Sequence, residues 1–221
     1  MQPKVWSYLA EIYRLQDEHS WPTLTMVADS RGVSLQAASR MIRRMIEQGY
    51  LRRARYKGVR LTAEGETIAL QVIRRHRILE VFMVRVMGFG WDEVHDMVEA
   101  LERGVTDPLV DRMEAMAGYP RRCPHGEPIP SKEGVMPVIS DKPLTEWPEG
   151  SPAEVSRVKT HDPEKLRYLE RVNLVPGNTM AIVARSPFNG PIHLECAGER
   201  LVIGHELASV LYVQQPDASG P

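Results

Sequence analysis

The sequence predicts a mainly α-helical protein with two small β parts. Three observations predict it. Apolar residues recur at helical spacing through most of the first 117 residues. A strongly basic helix and hairpin interrupt that stretch, and four short β-prone runs close the chain after a proline-rich segment. The architecture expected is an N-terminal winged helix-turn-helix, a central helical domain and a small C-terminal β-barrel.

The first helix is "SYLAEIYRLQ", with Leu9, Ile12, Tyr13 and Gln16 at helical spacing. A short helix in "TLTMVADSRG" stops at Gly32. The next, "VSLQAASRMIRRMIEQGYL", opens on Ser34 as N-cap and ends at Gly49. Ala38, Met41, Ile42 and Met45 form its inner stripe, while Gln36, Arg40, Arg43 and Arg44 lie elsewhere on the cylinder. "YLRRARY", the turn Lys57-Gly58 and "VRLT" read as a β-hairpin. Helix, short helix, basic helix and basic hairpin is the order of a winged helix-turn-helix. A helix fits the major groove of DNA and flanking cations neutralise phosphates. Ser34, Gln36 and Arg40 are the candidates for reading bases. Arg43, Arg44, Arg52, Arg53, Arg55, Lys57 and Arg60 are the candidates for phosphate contact. The competing reading is a solvated basic helix on another small domain.

Charge supports the DNA reading. Residues 1–77 carry 14 Lys/Arg against 7 Asp/Glu, a balance of +7. From chain totals of 28 and 29, the remainder holds 14 against 22, a balance of −8. A basic end on an acidic remainder is suited to a polyanion. No apolar run approaches the roughly 20 residues of a membrane span. Two cysteines make no disulfide framework. A reduced, cytoplasmic protein without membrane association is expected.

A long helix is predicted from Ala63 to about Met87, another from Trp91 to about Gly104, and a third in "DPLVDRMEAMA" with Asp107 as cap. "GYPRRCPHGEPIPSKEGVMPVISDKPLTEWPEGSP" is nearly aperiodic, hence loop and linker. "DPEKLRYLERVNL" is a short amphipathic helix, and "TMAIVA", "PIHLEC", "RLVIG" and "LASVLYV" are the β-prone runs.

On the long helix, His76 and Glu80 interrupt an apolar face one turn apart. A carboxylate there is costly unless something positive meets it, and the spacing lets both side chains converge on one ion. The following helix places His95, Glu99 and Glu102 along one edge, which alone would more often be a solvated acidic face. The loop adds Cys123 and His125, and the later helix begins with His161, Asp162 and Glu164. Imidazole and carboxylate accept manganese or iron(II), while a thiolate leans toward softer ions such as zinc.

These stretches together resemble the diphtheria toxin repressor/manganese transport regulator family of metal-dependent transcription factors, over almost the whole chain. "YLAEIYRL", "SRMIRRMIEQGYL", "GVRLTAEGE", "RHRILE", "VHDMVEALE", "CPHGEPIP" and "LRYLERVNLVPG" fall in family order. The resemblance implies a DNA-binding domain over 1–75 and a helical dimerisation and metal-binding domain over 76–130. A Pro-rich linker over 131–155 and an SH3-like, FeoA-type barrel over 156–216 would follow. It implies a homodimer binding double-stranded operator DNA when activated by a divalent transition metal, for which manganese is the first candidate, iron(II) the second and zinc a further one. His76, Glu80 and His95 match ligands of iron-type members; Cys123 and His125 match a Cys-x-His pair of manganese-sensing members. A further ligand is expected from Asp162, then His161, then Glu164. Glu99 and Glu102 match a second site, whose other family positions are occupied here by Ser7 and Arg103. The function expected is repression of manganese or iron uptake genes. A metal-dependent hydrolase with a DNA-binding domain, or a winged-helix protein sensing redox state through cysteine, are the other readings; no HExxH or Gly-rich phosphate loop supports the first.

Overall fold

The computed structural model describes residues 3–54, 57–102 and 104–216. The chain divides into two compact units, Met1–His76 with Ile129–Pro137, and Arg77–Pro128 with Val138–Pro221.

The first unit contains α1 (Pro3–Glu18), α2 (Leu24–Ser30), α3 (Leu35–Glu47), β1 (Leu51–Ala54), β2 (Gly58–Leu61) and the first part of α4 (Ala63–Arg85). Thr23 and Ser34 start α2 and α3 by accepting the backbone N–H groups of Met26 and Ala37. Ala38, Ile42 and Met45 turn inward from α3 and join Leu9, Ile12 and Val27 in one core with Leu51, Val59 and Leu61 of the hairpin. The hairpin register sets Leu51 opposite Leu61 and Arg52 opposite Arg60, so the pleat buries leucines and exposes arginines. Gly58 sits at φ +131°, and a Cβ there would collide with the Pro22 carbonyl, which accepts the Val59 N–H at 3.0 Å. The wing can lie against this loop because residue 58 has no side chain.

The second unit holds the rest of α4, then α5 (Val94–Leu101), α6 (Asp107–Met116), β3 (Lys142–Pro143), β4 (Pro152–Val158) and α7 (Pro163–Arg171). It ends with β5 (Thr179–Arg185), β6 (Ile192–Cys196), β7 (Glu199–Ile203), α8 (His205–Ser209) and β8 (Leu211–Gln214). α5 is shorter than its periodicity suggests: Trp91–Glu93 form a turn and the helix starts at Val94. α6 is preceded by Thr106 at the cap position, and Asp107 is its first helical residue.

The C-terminal strands correct one expectation. They form an antiparallel sheet in the order β3-β8-β4-β5-β6-β7, and this sheet is open rather than closed into a barrel. Closure requires a ladder between the two edge strands. Among the described residues β3 pairs only with β8 and β7 only with β6. β3 is two residues long, and one of them, Pro143, has no N–H to donate. One face of the sheet carries Val155, Ile182, Leu194 and Val213, which pack with Leu166 and Leu169 of α7 into a common core. No helix among the described residues is long and apolar enough to cross a membrane.

Candidate functional site

The buried side of α4 carries His76 and, one turn later, Glu80, whose side chain is only 2% exposed. Burying a carboxylate costs several kcal/mol, on the order of a Born penalty reduced by relaxation, unless positive charge or hydrogen bonds compensate. Imidazoles surround it. His95 of α5 brings Nδ1 to 3.3 Å from Glu80 Oε1, and His125 of the 121–130 loop brings Nδ1 to 3.8 Å from the same oxygen.

The tautomer of His125 follows from its other partner. Nε2 lies 2.9 Å from the Trp91 carbonyl oxygen, which can only accept, so Nε2 carries the proton. In the neutral ring Nδ1 then carries the lone pair, on the side facing Glu80 and the Cys123 sulfur, 4.0 Å away. That is the state of an imidazole prepared to bind a cation. His161, just before α7, stacks on His95 with centroids 3.7 Å apart and planes 7° from parallel, and meets the His125 ring edge-on at 5.3 Å.

Possible ligand atoms of Glu80, His125 and His161 all fall within 4.8 Å of one another, and so do those of His76, Glu80 and His95. His76 and Glu80 belong to one unbroken helix, so their pairing is fixed by its pitch. These donors fit a divalent transition metal: several imidazoles, a buried carboxylate, and a thiol at the margin. Burial pushes the Cys123 thiol well above its ordinary range and the nearby Glu80 charge adds to this. A buried, protonated thiol is a poor nucleophile, which argues against the redox-sensor reading.

The loop bearing Cys123 and His125 is held on β4. The Val158 N–H donates to the His125 carbonyl at 2.8 Å, and Arg122 donates to the Gly126 carbonyl at 2.7 Å and to the Ser156 hydroxyl at 3.1 Å. Arg157 grips both oxygens of Asp141 at 2.9 and 3.0 Å and reaches Glu127 at 3.3 Å, while Arg77 meets Glu127 at 3.0 Å. Sequence reasoning missed Arg77, Arg122, Glu127, Asp141 and Arg157. Breaking such a half-buried network by removing one partner leaves charges uncompensated. Arg157→Ala is expected to cost about 3 kcal/mol in chemical denaturation and to weaken metal binding in a calorimetric titration roughly 10-fold.

Other predicted residues are placed differently. Asp162 caps α7, its Oδ1 accepting the N–H groups of Glu164 and Lys165 at 2.9 and 3.3 Å. Glu164 is exposed in the first turn of α7. Glu99 lies on α5 and Glu102 caps its C-terminus, both half-buried; among the described residues neither belongs to a group of three convergent donors. Ser7 accepts a hydrogen bond from Arg31 at 3.4 Å, and Arg103 lies outside the described residues.

In the first unit Gln36, Arg40, Arg43 and Arg44 are exposed on α3, and Arg52, Arg53, Lys57 and Arg60 are exposed on the wing. Ser34 is exposed as well, though its hydroxyl caps α3. Arg52 packs over the Trp21 ring with its guanidinium 5.4 Å from the centroid. Arg55 lies outside the described residues.

Three segments match known families. Residues 2–59 match the N-terminal DNA binding domain of iron dependent repressors, 62–131 their metal binding and dimerisation domain, and 142–215 the FeoA domain. The iron-dependent repressor IdeR of Mycobacterium leprae (strain TN) is 30% identical over 220 residues, covering 94% of this chain and 95% of that one. A manganese-dependent transcriptional repressor, solved in complex with manganese, is 34% identical with a TM-score of 0.88, covering 96% of this chain and 99% of the other. ScaR, solved with bound Cd2+, is 30% identical with a TM-score of 0.83 and the respective coverages are 96% and 100%. With both the sequence and the fold shared over nearly their full lengths, the chain belongs to the diphtheria toxin repressor/manganese transport regulator family of metal-dependent transcriptional regulators.

Proposed function

We propose that this chain is a cytoplasmic, homodimeric DNA-binding repressor of manganese or iron uptake genes, activated by a divalent transition metal. The observation that carries this reading is the convergence of Glu80, His125 and His161, drawn from a helix, a loop and a later domain, on one buried carboxylate. His76, His95 and Cys123 complete the proposed donor set, and Glu99 with Glu102 remain candidates for a second site. The carboxylate suits manganese, the imidazoles suit iron(II), and the thiol suits zinc.

A bound metal supplies positive charge that offsets Glu80 and holds the donors of three elements in one geometry. Glu80 sits on the helix whose first turns contribute Ala69, Leu70 and Ile73 to cores of the winged unit. Metal binding is proposed to shift the populations of the DNA-binding domain, proposed to span 1–75, and the domain proposed to span 76–130 toward the state that fits two half-sites. The linker 131–155 and the C-terminal domain 156–216 bring His161 to the site. Turning a 1:99 equilibrium of competent and incompetent states into 99:1 needs about 5.5 kcal/mol of differential metal binding. Dimerisation through the central helices is supported by large apolar side chains on their surface: Leu101 is 51% exposed, Leu109 46% and Met116 59%.

On the DNA side, Arg52 and Arg60 stand directly opposite each other across the hairpin. Like charges in that position repel, and a phosphate backbone relieves the repulsion. Gln36 and Arg40 are proposed to read bases from α3. Arg43→Ala is expected to weaken binding to every duplex alike and to reduce the slope of log K against log salt by about 1 per protomer.

The test is selection from a random duplex pool, under anaerobic conditions, by protein with manganese(II), iron(II), zinc(II) or no metal. Two half-sites related by two-fold symmetry, retained only with metal, are expected. Equal retention without metal would remove the metal switch from this reading.

A further inference from the structure

We propose that His161 is the selectivity-determining ligand of the metal centre, biasing it toward iron(II) and later first-row ions at the expense of manganese. The proposal rests on the metal-activated reading above and specifies its metal class. Two donors stand side by side where the chain enters α7, and the structure places them differently. The Asp162 carboxylate caps the helix by accepting two backbone N–H groups. His161 instead places its imidazole within 4.8 Å of the ligand atoms of Glu80 and His125.

The ring plane of His161 is defined on two sides. Parallel stacking on His95 at 3.7 Å and the edge contact with His125 fix its tilt, so its nitrogen is delivered to the cluster by packing. The resulting donors are one carboxylate from Glu80, imidazoles from His125 and His161, and the Cys123 sulfur 4.0 Å from His125 Nδ1. A carboxylate at the His161 position would leave two oxygen donors; an imidazole leaves one. Oxygen-rich sets suit manganese, and imidazole suits iron, nickel and zinc, so exchanging oxygen for nitrogen raises the ratio of later-metal to manganese affinity.

The experiment uses the full-length protein under anaerobic conditions and titrates cobalt(II) and iron(II) against manganese(II) in competition. Cobalt(II) serves as the spectroscopic probe. His161→Asp is expected to lower the cobalt-to-manganese affinity ratio about tenfold or more, and Asp162→Asn, which retains a capping side chain, is expected to leave it within about twofold. X-ray absorption at the cobalt edge should show one imidazole fewer in His161→Asp than in the unaltered protein. Should His161→Asp not fold, His161→Gln gives the same imidazole count comparison. An unchanged affinity ratio, or an unchanged imidazole count, would overturn the proposal and leave metal activation standing. A folded, unaltered protein that binds none of the three metals would overturn both.

Discussion

Glu80→Ala is expected to abolish metal-dependent DNA binding while leaving a folded protein. Glu80 is the residue shared by both groups of convergent donors, and its Oε1 faces His95 at 3.3 Å and His125 at 3.8 Å. It contributes the negative charge that makes a divalent cation more favourable than a protonated imidazole. Without it the imidazoles offer nitrogen lone pairs and no charge compensation, so metal affinity should fall at least about 100-fold. The fold should tolerate the change. Leu79, Met83, Val94 and Val98 form the apolar cluster around this part of α4 and none of them is altered. The carboxylate's removal also ends its own desolvation cost, so the metal-free protein should shift by no more than about 2 kcal/mol in either direction. Calorimetric titration with manganese(II), circular dichroism and a mobility shift on a selected duplex report the three quantities separately. A variant that still gained DNA affinity on adding metal would place the switch elsewhere, with Glu99 and Glu102 the next residues to test.

Much of this site was readable because it lies on helices. The 3.6-residue period sets His76 and Glu80 on one face of α4, and the same rule orders Ala38, Ile42 and Met45 on α3. The strands were harder. β4 is an inner strand between β8 and β5, yet its sequence "PAEVSRV" does not alternate cleanly. A register shift between Val155 and Arg157 breaks the two-residue period and leaves Val155 and Ser156 both buried. Four β-prone runs suggested closure, but closure depends on the edge strands, and nothing in "KP" indicates whether β3 reaches β7.

No local pattern ranks His161, Asp162 and Glu164 as ligands, because the ranking depends on which side chain the start of α7 uses as its cap. Asp-Pro alone does not show which residue caps: Asp162 caps α7, whereas Asp107 before Pro108 is already the first helical residue of α6. The arginines that hold the loop had no marker either. Arg77 finds Glu127 fifty residues away and Arg157 finds it thirty residues away, and no local pattern encodes those pairings.

Gly126→Ala should damage the metal centre from a residue that offers no donor atom. Gly126 lies at φ +83°, where an L side chain costs about 1–2 kcal/mol. A Cβ would also collide with the Ser156 carbonyl and stand 2.7 Å from Arg157 Cα. Both obstacles are backbone, so no rotamer change relieves them, and the loop must lift from β4. Lifting it strains the hydrogen bonds from Val158 N–H to the His125 carbonyl and from Arg122 to the Gly126 carbonyl, each worth about 1 kcal/mol. The sum, about 3–4 kcal/mol, corresponds to a fall in Tm of roughly 10 °C. Gly150 provides the control, since it has φ +73° with nothing within 4 Å of its would-be Cβ. Gly150→Ala should therefore show only the conformational strain, about 1 kcal/mol. Because ligand binding to the native state raises Tm by an amount set by affinity, melting with and without manganese(II) separates stability from site geometry. Gly150→Ala should keep the metal-induced rise in Tm, and Gly126→Ala should lose most of it. Equal metal-induced rises in the two variants would mean that His125 reaches Glu80 without the backbone contact that seats its loop on β4.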